Sequence, residues 1–369
     1  MPILVKRLIA ALVIVLLLLA MSQYMSDEGL FGFGVPPYYA RVIMLAGINV
    51  ILAVSLNLIT GFTGQFSIGH VGFMAVGAYS SAYLTVYHAQ VWERSLAGLV
   101  GGNLAHALIF LFAILVGALV AAIAGLIVGI PSLRLRGDYL AIVTLGFAEI
   151  IRIVILNIDK VGGATGFTVP GYTNFFWVGG FAIITILIVY NIVHSDIGRA
   201  LISIREDELA AEAMGINTTR YKVLSFAISS ALAGMAGVLF GHYTQFLSTN
   251  DFQFIRSFEI IIMIVLGGMG SLTGSVFGAI VITLLPEALR RLPGDLSQYR
   301  LVVYSALLIL IMLTRPQGLL GTREFGLSWL KRARRQPEGS STVAGNKGVP
   351  IAEQAGPATI DRTKELENR

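Results

Sequence analysis

The sequence has 369 residues, of which 56% are apolar and only 13% charged, and its formal net charge is +5 at pH 7. Soluble domains carry about 25% charged residues, so this chain has too few to cover a surface in water. The composition excludes a water-soluble enzyme, a disordered chain and a nucleic-acid binder with a basic face. The absence of cysteine excludes a disulfide scaffold, a thiolate metal site and cysteine catalysis.

Apolar runs that can cross a bilayer recur along the chain. A membrane-spanning helix needs about 20 apolar residues. The sequence therefore predicts an all-α polytopic membrane protein. The candidate spans are Leu8–Met25, Tyr38–Thr60, Ile68–Tyr87, Leu104–Ile130, Asp138–Asn157, Asn174–His194, Tyr221–Leu247 and Arg300–Thr314.

A further apolar segment, Phe258–Leu285, is interrupted by five small or flexible residues at Gly267–Ser271. It is either one long span or two half-segments, which gives eight to ten crossings in total. Basic residues favour the cytoplasmic side of a membrane. Lys6 and Arg7 therefore place the N-terminus in the cytoplasm. The basic tail around Lys331–Arg335 also lies in the cytoplasm only if the interrupted segment returns to the side on which it started, as a re-entrant or doubled segment.

The two ends of the chain have distinct compositions. The first apolar run is longer than the core of a signal peptide and ends in a poor cleavage site, which predicts a retained signal-anchor helix. Residues 336–369 are rich in Gly, Pro, Ser, Thr, Lys and Glu, which predicts a disordered cytoplasmic tail. The transmembrane domain is therefore expected to comprise residues 1–335, with both termini in the cytoplasm.

The sequence shows no catalytic, metal-binding or cofactor motif. It lacks a phosphate-binding P-loop, a zinc-binding H-E-x-x-H and the G-x-S-x-G turn of hydrolases, and its five histidines show no ligand spacing. We therefore assign no catalytic residue, no metal and no cofactor. Ser67 and His70, three residues apart, are the one hint of an intramembrane hydrolase, which stays as a weak alternative.

The segment Gly61–His70 joins two apolar runs and is rich in glycine and small polar residues. Non-helical backbone at membrane depth is tolerated only inside protein or beside a water-filled cavity. Gly64, Gln65, Ser67 and Gly69 are therefore candidates for the lining of a solute path. A tight glycine-mediated turn between helices, without ligand contact, explains the pattern equally well.

A second glycine cluster runs from Gly267 to Gly278. Both clusters contain the spacing G-x-x-G-x-x-[ST], and interrupted segments in two halves of a chain indicate a repeat around a central pathway. Gly270 and Thr273 therefore join the candidate path. Gly270, Gly274 and Gly278 are four residues apart, which predicts one smooth helix face.

The longest polar stretch between spans is residues 195–222. Within it, Glu206–Met214 is predicted to be a short helix whose acidic first turn suits the helix dipole, and Gly215 is placed to end it. Such a helix suits docking of a soluble partner. A plain solvated loop helix is the competing interpretation.

Charges within the predicted spans occur in two pairs spaced i,i+3. Glu149 and Arg152 can pair on one helix, and Arg256 and Glu259 repeat the spacing. Unpaired charges at membrane depth are costly, so each pair is either a polar relay or a structural ion pair.

Five segments resemble, in chain order, the permease subunits of branched-chain amino acid ABC importers, of the LivM type. They are Gly61–Tyr79 (GFTGQFSIGHVGFMAVGAY), Leu135–Arg152 (LRGDYLAIVTLGFAEIIR), Gly162–Pro170 (GGATGFTVP), Ile204–Asn217 (IREDELAAEAMGIN) and Leu266–Gly278 (LGGMGSLTGSVFG). The resemblance covers about residues 40–320. It implies the ABC importer permease fold and import of Leu, Ile and Val through a bacterial inner membrane.

The resemblance also implies partners. They are a second permease of the LivH type, two P-loop ATP-binding subunits and a periplasmic solute-binding protein, with membrane lipid around the chain and no nucleic acid. ATP hydrolysis would belong to the partner chains, so this chain would not be an enzyme.

The segment 206–215 would be the coupling helix. ABC permeases often carry E-A-A-x-x-x-G there; Ala210, Ala211 and Gly215 match it, and Leu209 stands at the Glu position. The residues assigned to coupling are Arg205, Glu206, Asp207, Glu208, Ala210, Ala211, Glu212 and Gly215. Those assigned to the translocation path are Gly64, Gln65, Ser67, Gly69, Thr144, Gly270 and Thr273.

Two other interpretations remain open at this point. The same architecture can carry another cargo, such as urea, short amides or other amino acids. A stand-alone secondary transporter driven by an ion gradient would instead use Glu149 and Glu259 as its coupling carboxylates.

Overall fold

The computed structural model describes residues 3–24, 36–89, 91–93, 98, 101–133, 135, 137–289, 305–306, 309, 313 and 318. These residues form α1 (Ile3–Tyr24), α2 (Pro37–Asn57), α3 (His70–Tyr87), α4 (Gly102–Ser132), α5 (Asp138–Leu156), α6 (Phe175–Val193), α7 (Asp196–Glu206), α8 (Glu208–Ala213), α9 (Thr218–Thr244), α10 (Phe254–Gly267) and α11 (Leu272–Leu289). Shorter elements are a π-helical turn at Leu58–Phe62, 3₁₀ turns at Asp159–Val161 and Thr249–Phe252, and the two-residue strands β1 (Phe167–Thr168) and β2 (Phe246–Leu247), which pair antiparallel.

The predicted all-α polytopic class is confirmed. Among the described residues, five helical segments are long and apolar enough to cross a membrane, and each coincides with a predicted span. They are Pro37–Phe62, Leu104–Ser132, Asp138–Leu156, Phe175–Val193 and Thr218–Thr244. The predicted tail at 336–369, the basic cluster Lys331–Arg335 and most of Arg300–Thr314 lie outside the described residues.

Helices α2 and α9 form the centre of the bundle. In their most apolar windows 78% and 72% of residues are buried, against 22–33% for α4, α5 and α6, which present more surface outward. Helix α9 packs on α2, α3 and α4. The α3–α9 contact is close because glycines meet there: a Cβ at Gly77 would lie 2.2 Å from the carbonyl oxygen of Gly234. Small residues allow this close packing of helices in a membrane.

The interrupted apolar segment is two helices rather than one. Helix α10 ends at Gly267 and α11 begins at Leu272, and the two pack side by side in opposite directions, with Gly274 against Gly267 and Gly278 against Met263. Gly268 and Gly270 have φ of 115° and 82°, which favours glycine in this turn. The predicted helix face therefore contains Gly274 and Gly278 only.

The polar stretch folds as two helices where the sequence predicts one. Helix α7 ends at Glu206, and Asp207 adopts an extended conformation. Its carboxylate accepts hydrogen bonds from the backbone N–H groups of Leu209 (2.9 Å) and Ala210 (3.0 Å), which starts α8. Gly215, with φ of 84°, directly follows the last turn, as its position in the sequence indicates.

Two ends of the bundle can be distinguished. Asn57, the α10–α11 turn, α7, α8 and the start of α9 lie at one end, which we call the loop end. Arg41, the end of α9 and the start of α10 lie at the other, the far end. From Arg41 to Asn57, α2 rises about 24 Å between them.

Candidate functional site

The loop between α2 and α3 is irregular, and part of it is buried inside the protein. A π-helical turn at Leu58–Phe62 closes α2, Gly64 has φ of 74°, and the chain is irregular until His70 starts α3. The side chains of Gln65 and Ser67 are buried. The buried part of this loop therefore meets the condition that irregular backbone at membrane depth be covered by protein, whereas Gly64 and Phe66 are exposed.

Thr144 on α5 holds this loop in place. Its hydroxyl oxygen accepts a hydrogen bond from the backbone N–H of Ile68 (3.1 Å) and donates to the carbonyl of Ala141 (3.0 Å). Gly69 packs against the backbone of Thr144, since a Cβ at Gly69 would lie 2.3 Å from the Thr144 carbonyl oxygen. Thr144 and Gly69, both assigned to the path, thus contact each other.

Asn57 joins the α2–α3 loop to the α10–α11 turn. Its amide oxygen accepts from the backbone N–H of Gly270 (2.9 Å), and its amide nitrogen donates to the carbonyl of Ser271 (3.0 Å). Gly61 fits beneath this contact only because it lacks a side chain: a Cβ would lie 1.8 Å from the Asn57 amide oxygen. Asn57 is fully buried, and no sequence motif singled it out.

Ser271 and Thr273 form the start of α11. The Ser271 hydroxyl accepts from the backbone N–H of Gly274 (3.1 Å) and lies 3.3 Å from the Thr273 hydroxyl. The polar groups of this turn are therefore engaged in capping a helix.

Arg205, at the end of α7, lies against both glycine segments. Its Nη1 donates to the carbonyl of Gly61 (3.0 Å), while Nε and Nη2 bond the carboxylate of Glu206. A Cβ at Gly64 would lie 2.8 Å from Arg205 Cγ, and one at Gly270 would lie 2.8 Å from Arg205 Nη1. The structure thus brings residues assigned to coupling and residues assigned to the path into one site, which the linear sequence does not show. We call Asn57, Gly61, Gly64, Arg205 and Gly270 the loop cluster.

Helix α8 is fastened to α9 by its acidic side chains. Glu208 pairs with Lys222 at 2.6 Å, and the Lys222 side chain is only 7% exposed. Glu212 accepts a hydrogen bond from the Thr218 hydroxyl (2.7 Å). Two large apolar side chains of this segment are also exposed, Leu209 at 64% and Met214 at 83%, beside exposed acidic residues such as Glu206. Neither Leu209 nor Met214 is among the residues assigned to coupling from the sequence.

Buried polar atoms without a hydrogen-bond partner gather near the α2–α3 loop. Within the described part of the chain they include both amide atoms of Gln65, the Ser67 hydroxyl and Nδ1 of His70, whose Nε2 lies 2.8 Å from the Ser55 hydroxyl. Nearly all buried polar groups in proteins are paired, so this group calls for an explanation. A cavity of about 110 Å³ borders Gln65 and Arg205.

The two charge pairs are formed within their own helices. Arg152 Nε donates to Glu149 at 2.7 Å on α5, and both side chains are partly exposed. Arg256 Nη1 donates to Glu259 at 2.9 Å at the start of α10, at the far end. Neither pair belongs to the loop cluster. Among the described residues, no group of three or more His, Asp and Glu side chains is arranged to hold a metal ion.

Comparison with known proteins identifies relatives over most of the chain. Residues 38–312 match the model of the family described as branched-chain amino acid transport system, permease component. The LivM permease protein of Salmonella typhimurium is 33% identical over 309 residues, which cover 74% of this chain and 68% of that protein. The probable LivM protein of Methanocaldococcus jannaschii is 25% identical over 76% of this chain and 92% of its own length.

A shorter match joins this chain to a second kind of permease. The LivH permease protein of Escherichia coli strain K12 is 35% identical over 148 residues, which cover 40% of this chain and 47% of that protein. All three relatives carry branched-chain amino acid transport permease in their names.

Proposed function

This chain belongs to the permease components of branched-chain amino acid transport systems, and on that premise we propose that it forms one half of the pathway of an ABC importer for leucine, isoleucine and valine. The observation that carries the mechanism is the position of Arg205. It contacts both glycine segments from the end of a polar surface helix. A partner that moves α7 therefore moves a side chain that contacts both the α2–α3 loop and the α10–α11 turn.

The other half of the pathway is a LivH-type permease, which this chain resembles over 148 residues. Two P-loop ATPases, which the resemblance to ABC importer permeases implies, supply the energy. A periplasmic binding protein delivers the amino acid. The chain lies in the bacterial inner membrane with both termini in the cytoplasm, an orientation favoured by Arg199, Arg205 and Arg220 in the polar stretch.

Helix α8 is the contact surface for an ATPase. Ala211 is buried against the rest of the chain, and Glu208 and Glu212 attach α8 to α9 through Lys222 and Thr218. Leu209 and Met214 face outward and supply the apolar contact that a docking groove would bury. In this proposal Glu208, Ala211 and Glu212, all assigned to coupling, hold the helix, and Leu209 and Met214 are added to that assignment as contacts with the partner.

Arg205 transmits motion of α7 to the loops. When ATP binding draws the two ATPases together, α7 and α8 move with them, and the Arg205 side chain moves relative to Gly61 and Gly270. The unpartnered amide of Gln65 and hydroxyl of Ser67 then gain water or solute as partners, which offsets the cost of burying them unpaired, about 1–3 kcal/mol each. These groups thus line the path in the open state.

The test uses the complete importer in proteoliposomes. Arg205→Ala is expected to lower leucine uptake per ATP hydrolysed by about tenfold, because one charge-assisted hydrogen bond to Gly61 is lost. The matched control is Arg199→Ala, on the same helix, whose side chain is 72% exposed and bonds only Asp196 among the described residues. This control should leave the ratio unchanged.

An unchanged ratio in a fully assembled Arg205→Ala complex would refute the transmission role. If that variant fails to assemble, Arg205→Lys keeps a donor near Gly61 and should recover uptake partly. Uptake of urea or a short amide in place of leucine by the wild-type importer would overturn the cargo while leaving the coupling argument intact.

A further inference from the structure

A large cavity lies at the far end of the bundle, away from the loop cluster. Its volume is about 750 Å³, within the range of about 300–1,000 Å³ typical of small-molecule sites. The cavity beside Arg205, at about 110 Å³, falls below that range. The large cavity is bounded by α2, the end of α9, the following loop and the start of α10. Its lining includes Arg41, Leu45, Phe240, Asp251, Ile255, Arg256 and Glu259.

The charges of this cavity balance. Arg41 and Arg256 supply two positive charges, and Asp251 and Glu259 supply two negative ones, so the formal sum is zero. A site for an anion or for a metal cation would carry an excess of the opposite charge. Separated charges with no net charge instead complement a dipolar, neutral ligand.

One of the two arginines, Arg256, already bonds two neighbouring side chains. Arg256 donates to Glu259 from Nη1 (2.9 Å) and to the buried Asn49 amide oxygen from Nη2 (3.1 Å). It therefore fixes Glu259 in place through one carboxylate oxygen, and Glu259 also lines the cavity. Arg41 forms no ion pair with any residue that the structure describes. Asp251 uses one oxygen to bond the Ser248 backbone N–H (3.2 Å).

We infer that this cavity binds the head group of an α-amino acid, with the carboxylate at Arg41, the ammonium group at Glu259 or Asp251, and an aliphatic side chain against Leu45, Phe240 and Ile255. The inference rests on the proposed function and adds to it the place where the substrate first meets this chain. The far end is the side from which a binding protein would release its amino acid, since α7 and α8 lie at the loop end.

The test pairs side-chain variants with ligands that lack one charge. Saturation-transfer NMR titrations use the assembled, nucleotide-free importer in nanodiscs, without binding protein. The ligands are leucine, leucinamide, which lacks the carboxylate, and 4-methylpentanoate, which lacks the ammonium group. Arg41→Gln should weaken leucine binding by about tenfold or more and leave the weak binding of leucinamide unchanged. Glu259→Gln should likewise weaken leucine binding and leave the weak binding of 4-methylpentanoate unchanged.

Controls of the same chemistry are Lys160→Gln and Asp159→Asn, two exposed residues outside the cavity, and neither should change any affinity. Equal loss of leucine and leucinamide binding in Arg41→Gln would overturn the inference. The inference would also be overturned if Arg41→Gln left leucine binding unchanged but weakened attachment of the binding protein. The cavity would then be a protein-docking surface. Absence of leucine binding and uptake in the wild type would instead refute the proposed cargo.

Discussion

The α2–α3 loop and the α10–α11 turn contact each other, share the spacing G-x-x-G-x-x-[ST], and use their polar groups differently. In the turn, Ser271 caps α11 and Asn57 bonds both Gly270 and Ser271. In the loop, Gln65 and Ser67 are buried without hydrogen-bond partners. The shared glycines serve close packing in both segments. Of these two segments, only the loop contains buried polar side-chain atoms without a partner, and this difference is what the proposed path role of Gln65 and Ser67 uses.

The largest effect is expected where the two segments touch. Gly61→Val should lower the free energy of unfolding by about 4 kcal/mol or more, because its side chain would meet Asn57 and the backbone of Gly270. The matched control is Gly146→Val, since a Cβ at Gly146 has no neighbour within 4 Å. Thermal unfolding of the purified importer, followed by size-exclusion chromatography, measures both. Equal stability of the two variants would show that the segments are not packed together.

A smaller loss is expected when the turn loses its bridging amide. Asn57→Leu keeps nearly the same volume but leaves the Gly270 N–H and the Ser271 carbonyl without this partner, at a cost of about 2–3 kcal/mol. The same unfolding measurement applies. A variant as stable as the wild type would contradict the bridging role, and the turn would then have to be held by its own backbone.

The smallest effect on stability is expected in the loop. Gln65→Met removes an amide that has no partner, so the free energy of unfolding should stay equal or rise slightly. Leucine uptake should nevertheless fall about tenfold, because the open path loses a polar lining group. Stability and uptake are measured on the same preparation. Normal uptake by the variant would show that Gln65 does not line the path. The α2–α3 loop and the α10–α11 turn would then both be structural.

Much of the helical framework follows from the sequence because its signals are local. The apolar runs fix α2, α4, α5, α6 and α9 to within a few residues, and the small residues at Gly267–Ser271 mark the break between α10 and α11. Local signals also misplace one glycine: the regular spacing assigns Gly270 to a helix face, whereas its positive φ places it in the turn.

The loop cluster could not be predicted because its contacts join distant parts of the chain. Arg205 meets Gly61 across 144 residues, and Asn57 meets Gly270 across 213. A single sequence records the residue types at these positions but not which of them meet. The helix α7 was missed for another reason, since its polar, amphipathic sequence lacks the apolar run that marks the spans.

Helix α10 begins at the large cavity of the far end and ends next to the loop cluster. Its 14 residues span about 21 Å, with Arg256 and Glu259 near its start and the turn that contacts Arg205 directly after its end. Its backbone also packs closely against α11 at Gly267, Gly274 and Gly278. If an ATPase shifts α10 at the loop end, the geometry of the cavity at its other end changes, and with it the affinity for an amino acid bound there. Thermodynamic reciprocity then requires the amino acid to change the affinity of the ATPase for α8 by the same factor.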